Sequence, residues 1–239
     1  MALPYDLYYN DPDCDFTLKA NDGAAFGVHK LIVTHTSATL KNMILSASSS
    51  DNEVQLPLSS IVLDHVLQCI YQGLRPKGLP PRTIPWHDYI PFLEACMFLG
   101  VTIGIKEAKQ QLKLLVSSMD MRQLVHLLVQ FDSHNVEDET ADMKQRVASS
   151  VFARADEAVQ TSEASALPPV LAMKLREQVK DIALKWKFIQ SWLQTQSNTN
   201  HNMDEQKIQD MVQGEEIPDS HILWLFKFVV CVSGCYHCC

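Results

Sequence analysis

The 239-residue sequence is short of the features that most readily mark a catalyst, a secreted protein or a nucleic-acid binder. It contains no GxxxxGK(S/T), GxGxxG, HExxH or GxSxG string, so no phosphate loop, dinucleotide loop, zinc-protease helix or nucleophile elbow can be read in it. Positive charge is scarce: 20 Lys and Arg against 28 Asp and Glu leave a formal charge of −8, which argues against a chain whose task is to neutralise phosphates. Only 8 residues are glycine, and with 46% hydrophobic and 20% charged residues the composition is neither collagenous nor disordered. The amino end, MALPYDLYYNDPDCD, lacks the basic start and apolar core of a signal peptide, so a cytosolic or nuclear location is expected. In that reducing setting Cys14, Cys69 and Cys96 read as free thiols that pack as small apolar residues.

What is present is a short mixed region followed by helices. Phe16, Leu18 and Ala20 alternate with polar neighbours as a half-buried strand does, Asn21-Asp22-Gly23 turns the chain, and Ala25 to Val28 returns, which predicts an antiparallel hairpin with a favoured Asp-Gly turn. His29 to Leu45 is expected to form two short helices broken near Thr36-Ser37, the run Ser46 to Asn52 a loop, and Glu53 to Leu58 a short strand ended at Pro57. Ser59 or Ser60 is placed to cap a helix whose apolar face is Val62, Val66, Leu67, Ile70 and Tyr71, with Gly73 as its stop. A proline-rich linker, Arg75 to Pro85, precedes helices at Tyr89 to Leu99 and Ile105 to Met119, separated by a break over Gly100 to Gly104. Beyond that, Met121 to Phe131, Met143 to Ala155, Pro169 to Lys180 and Ile182 to Gln194 keep helical spacing, with loops at Asp132 to Asp142 and Thr161 to Pro168. The acidic run Glu137-Asp138-Glu139 falls in the first of those loops, where it reads as a solvated cluster rather than a catalytic one.

Cys14-Asp15 before a strand, Val28-His29-Lys30 entering a helix, Ser37 to Met43 ahead of a loop, and the helix end Ile70-Tyr71-Gln72-Gly73 stand in the order in which the BTB/POZ domain carries them, and residues 13–118 resemble that family. The stretch TSATLKNM and the insert before Trp86 are also similar to elongin C and related cullin adaptors of the same fold. The strings MRQLVHLLVQF, MKQRVASSVFARADEAVQTSEASALPPVLAMKL and KWKFIQSWL resemble the BACK region that follows BTB domains in many cullin adaptors. The implied fold class is α+β: a BTB/POZ domain, with a small sheet and hairpin surrounded by helices, then an all-α BACK-like region. The expected division is an N-terminal segment 1–12, a BTB/POZ domain 13–118, a helical domain 119–230 and a cysteine-rich tail 231–239.

The resemblance implies a non-enzymatic adaptor that forms a homodimer and acts as substrate adaptor of a cullin-based ubiquitin ligase, binding a cullin and a client protein. It implies a charged pair, Asp15 with Lys30, at a partner face that also takes in His29, Thr36, Ser37, Leu40 and Met43. The other readings of these residues are that Asp15 caps the strand start while Lys30 is solvated, and that His29 is a structural histidine. The segment after the third helix, SASSSDNE, departs from the hydrophobic-x-Glu element of cullin-binding members, and no kelch repeat, zinc finger or MATH domain is readable. Either the helical part is itself the client reader, or the chain is a fragment or short isoform.

Four cysteines, Cys231, Cys235, Cys238 and Cys239, lie in the last nine residues, beside His221 and His237. Thiolates and imidazoles suit zinc, but two ligand knuckles a dozen or more residues apart are missing, so no metal or other cofactor is expected. Ile222 to Val230 is expected to pack as the last helix of the second domain. The alternative is a membrane-associated scaffold, unconnected with ubiquitin, tethered by S-acylation or prenylation of these four cysteines. A membrane partner is expected only if they carry lipid, since Ile222 to Val232 is too short to span and holds Lys227. No nucleic-acid partner is expected.

Overall fold

The computed structural model describes residues 9–46, 52–72, 84–134, 136–199, 205–215 and 217–232. They fall into two compact units, the first Met1–Ser117 with His134–Glu139, the second Ser118–Ser133 with Thr140–Cys239.

The first unit is built on three strands in the order β2-β1-β3: β1 (Phe16–Lys19), β2 (Ala25–Val28) and β3 (Glu53–Gln55). β1 runs antiparallel to β2, with Phe16 opposite Val28 and Leu18 opposite Phe26, so the four buried apolar residues share one face. A slip of one residue would turn all four to solvent, which is what fixes this register. The expected Asp-Gly turn with two positive φ angles is not formed. The Gly23 amide donates to the Ala20 carbonyl at 3.1 Å, the Ala20 amide to the Ala24 carbonyl at 2.8 Å, and Gly23 alone takes positive φ, 85°. This is a longer loop in which glycine serves only the left-handed position. Asp22 instead uses its carboxylate: Oδ1 accepts from the Ala24 amide at 3.2 Å and Oδ2 from the Ser60 amide at 2.9 Å. β3 pairs parallel with β1 and ends at Gln55, shorter than expected: the Leu56 amide still donates to the Lys19 carbonyl at 2.8 Å, with its side chain in the core, but Pro57 has no amide to carry the ladder on.

Between β2 and β3 lie α1 (Lys30–Thr36) and α2 (Ala38–Ser46), broken at Ser37 as the sequence predicts. α3 (Ser60–Ile70) starts with the Ser59 hydroxyl accepting from the Val62 amide at 3.4 Å. α4 (Tyr89–Leu99) follows a single 3-10 turn and stops at Gly100, whose φ of 69° lets the Val101 amide close on the Cys96 carbonyl at 2.8 Å. α5 (Thr102–Val116) begins three residues earlier than expected. Gly104 is not a breaker but a packing residue, since a Cβ there would overlap Cys96 Sγ on α4. The core gathers Leu18, Val28, Val33, Leu40, Leu63, Leu67, Phe92 and Leu99. The residues from His134 return to this unit, where His134 Nδ1 lies 2.6 Å from Glu94 Oε2 and Val136 is buried.

The described residues of the second unit contain no strand. α6 (Met121–Ser133) opens on a reciprocal cap, the Gln123 amide donating to Asp120 Oδ1 at 2.8 Å and the Asp120 amide to Gln123 Oε1 at 3.0 Å. α7 (Glu137–Ala153) starts inside the expected loop, so Glu137-Asp138-Glu139 belongs to a helix start, where acidic residues suit the positive end of the helix dipole. α8 (Ala155–Ala158) follows directly on α7, a 3-10 turn over Ser162–Ala166 lies inside the next expected loop, and α9 (Pro169–Gln178) has its proline in the first turn. α10 (Ile182–Thr199) buries Trp186 and Trp192, the latter donating from Nε1 to the Leu167 carbonyl at 2.8 Å. α11 (Glu205–Val212) carried no expectation. It is held through its last carbonyls by the buried Arg176, whose guanidinium donates to Asp210 O at 3.0 Å and Met211 O at 2.6 Å. Lys185 and Arg176 flank Glu215 just beyond it, at 3.1 and 3.8 Å. α12 (Asp219–Val232) closes the described chain.

Candidate functional site

The strand order places Asp15, just before β1, beside the first turn of α1. Asp15 Oδ1 accepts from the Lys30 backbone amide at 2.7 Å, taking up one of the amides that a helix start leaves unpaired. The ion pair expected between Asp15 and Lys30 is not made within this chain. Lys30 Nζ turns the other way, donating to Asn52 Oδ1 at 3.0 Å and lying 5.1 Å from the centre of the Phe16 ring. Asp15 therefore caps a helix rather than the strand start, and Lys30 ties α1 to the residue before β3. Sequence reasoning missed Asn52, which no local pattern joins to Lys30.

His29 is a structural histidine with close neighbours that the sequence did not reveal. Its backbone amide donates to the Tyr71 hydroxyl at 2.8 Å, and its Nδ1 lies 3.1 Å from the same oxygen and 3.9 Å from Cys14 Sγ. The Tyr71 hydroxyl thus bridges the backbone and the ring of His29, while the ring's Nε2 is buried with no hydrogen-bond partner among the described residues. Burial pushes the Tyr71 hydroxyl up to about 12, and burial likewise raises the Cys14 thiol above its ordinary value. Both groups keep their protons at neutral pH, so the cluster holds the sheet to the end of α3 and offers no activated nucleophile. Tyr9 packs its ring edge against Tyr71 and donates to Asp64 Oδ1, which ties the residues before β1 to the same place.

The expected partner face divides into two kinds of residue. Ser37 and Leu40 are fully buried and belong to the core, not to a contact surface. Ser37 donates to the Leu99 carbonyl and accepts from the Leu40 amide at 3.0 Å, which makes it the cap of α2 and a tie to the end of α4. Thr36 bonds back to the Ile32 carbonyl at 2.9 Å and, like Met43, is half-buried. The apolar groups offered to solvent are others: Leu31 on α1 is 81% exposed and Leu45 on α2 is 72% exposed. Leu31 belongs to the loosely helical apolar spacing of residues 29–45. In a seven-residue helix that buries only Val33, it lands on the opposite side.

Among the described residues no group of three or more His, Cys, Asp or Glu could hold a metal ion. His221, a candidate zinc ligand by sequence, stacks on Trp186 with ring centres 5.7 Å apart, and its Nδ1 lies 2.7 Å from Gln190 Nε2. Cys231 lies in α12, and Cys235, Cys238 and Cys239 lie outside the described residues. No helix is long and apolar enough to cross a membrane, again among the described residues.

Residues 6–135, more than half of the chain, match the BTB/POZ domain family. The chain belongs to the BTB/POZ family. Its small three-stranded sheet in a mostly helical body accords with that fold. A comparison with curated proteins gave no match. BTB/POZ domains are protein-interaction modules, generally non-enzymatic, and they mediate self-association and binding to other proteins. Of the expected site residues Asp15 is exposed, His29 half-buried and Ser37 buried, while α1 and α2 present Leu31 and Leu45 to solvent.

Proposed function

We propose that this BTB/POZ protein is a non-enzymatic adaptor that forms a homodimer and serves as substrate adaptor of a cullin-based ubiquitin ligase. Its mechanism is bridging. The first unit holds a second copy and a cullin, while the BACK-like helices from residue 119 onward hold the client, and the working location is the cytosol or nucleus. The observation that carries the reading is the family match over residues 6–135, seen together with Leu31 and Leu45 standing exposed on α1 and α2. Burial of such apolar groups inside a polar rim is the ordinary physical basis of a protein interface. Resemblance to BACK regions supports the client role of the second unit, and a cullin contact is supported by the family alone, since SASSSDNE replaces the hydrophobic-x-Glu element.

Affinity purification of the full chain from cells, with mass spectrometry of what is retained, tests the bridge. Recovery of a cullin together with its ring-finger partner and an excess of one client is the expected result. Recovery of partners with no cullin, repeated with purified cullins, would leave an adaptor outside ubiquitin ligation. A strictly monomeric chain would contradict the homodimer and favour the elongin C manner of assembly.

A further inference from the structure

Beyond its first three residues the α12 helix (Asp219–Val232) is apolar on every side except at Lys227. From residue 222 to 232 its sequence, ILWLFKFVVCV, holds one charge, Lys227. A helix of that kind normally lies in a protein core or in lipid. Within its unit α12 packs on α11 and, through the His221 ring, on Trp186 of α10. That leaves Ile222 50% and Leu223 63% exposed, with Trp224, Leu225, Phe228 and Val229 half-buried. The core packing that the sequence suggests for this segment is thus only one-sided.

Three observations choose the occupant of the other side. Ten apolar residues and one lysine are too few to span a bilayer but suit a segment lying in its interface, where the stacked Trp224 and Phe228 rings are favoured residue types. The exposed Lys227 can reach headgroups along its own apolar stem. In sequence the helix runs into Cys231, Cys235, Cys238 and Cys239, the residue type that carries acyl chains beside interfacial helices.

We propose that α12 seats on the surface of a lipid bilayer, sinking Ile222 and Leu223 into the boundary between headgroups and acyl chains with Lys227 at the headgroups. The seat belongs to the helix itself and precedes any lipid attached to the thiols.

The test uses the full chain made without lipid attachment, floated with vesicles of phosphatidylcholine alone and of phosphatidylcholine with phosphatidylserine. Flotation with both is expected, stronger with the anionic vesicles. The double variant Ile222→Glu, Leu223→Glu should lower the partition coefficient by about tenfold or more, at an unchanged melting temperature and helical circular dichroism. Lys227→Glu, at an exposed position, should abolish the preference for anionic vesicles while keeping the phosphatidylcholine signal. Absence of flotation at millimolar lipid overturns the proposal. So does a double variant that floats like the wild type. A double variant that changes the sedimentation of lipid-free protein, with no vesicle binding by either form, overturns it in favour of a second copy.

Discussion

Ser37 is a serine with no exposed surface, and its environment states its job. Its hydroxyl gives its proton to the carbonyl of Leu99, 62 positions away in sequence, and takes the amide of Leu40. Removing it leaves a buried carbonyl and a buried helix-start amide without partners, at a cost of about 1–3 kcal/mol for the exposed shortfall in hydrogen bonding. Ser37→Ala should therefore lower the unfolding free energy by that amount, read as a lower urea midpoint with an unchanged slope. A loss below about 0.5 kcal/mol, the range of ordinary surface substitutions, would refute the role. The sequence made the helix break at this residue legible, because a run of Thr and Ser interrupts the apolar spacing. It could not show that the hydroxyl points inward, since Leu99 reaches it only through tertiary packing. The same holds for His29 and Tyr71, and for Lys30 and Asn52: each residue type was visible, but its partner lies 42 or 22 positions away.

Elements whose apolar residues repeat at short range were the readable ones, and the elements missed are those held by something else. α7 begins in an acidic stretch with no apolar period, α11 is held through its end by Arg176, and α5 starts earlier than its glycines suggested. The seam of α4 and α5 explains the last case. Ala normally favours a helix over Gly by about 1 kcal/mol. At Gly104, however, the added methyl overlaps Cys96 Sγ, a fully buried atom with no room to retreat. Gly104→Ala should destabilise the protein by about 1–3 kcal/mol, as overpacking does, and Cys96→Ala in the same chain should recover part of that loss. A stabilised single variant in chemical denaturation would show that the seam has slack. At the joint between the hairpin and α3 the relevant force is charge. Hydrogen bonds from the Ser60 hydroxyl and amide, then from the Ala24 amide, hold the Asp22 carboxyl below its ordinary 3.8. A carboxyl lowered in the folded state adds stability that is complete above the unfolded value and fades as pH falls through the folded one. The stability difference between wild type and Asp22→Asn should hence be constant from pH 7 to about 5 and shrink below 3.8. A difference that does not change down to pH 2.5 would remove Asp22 from the joint.

For the whole molecule, the sequence conveyed the fold class through the ordered motifs of residues 13–118, and the family match over residues 6–135 shows the family they point to. Less legible was the surface through which such a module acts, because exposure is set by which side of each short helix meets the sheet. Leu31 illustrates this: it stands in the loosely helical apolar spacing of residues 29–45, yet 81% of it faces solvent. An apolar residue so placed adds nothing to the folding of a single chain, and it gains only when a second surface covers it. That separates two accounts by mass action. If α1 is covered by another copy, folding and association are linked, and the melting temperature must rise with protein concentration. Between about 1 and 100 µM the wild type should gain several degrees, while Leu31→Glu should melt at one temperature across the range and elute at the monomer's size. The substitution touches no buried atom, so a folded but concentration-independent variant is the expected form. A wild type whose melting temperature is flat over the same range, with a monomer's mass by light scattering, would exclude self-association through α1. The exposed Leu31 and Leu45 would then be left for a partner of a different sequence.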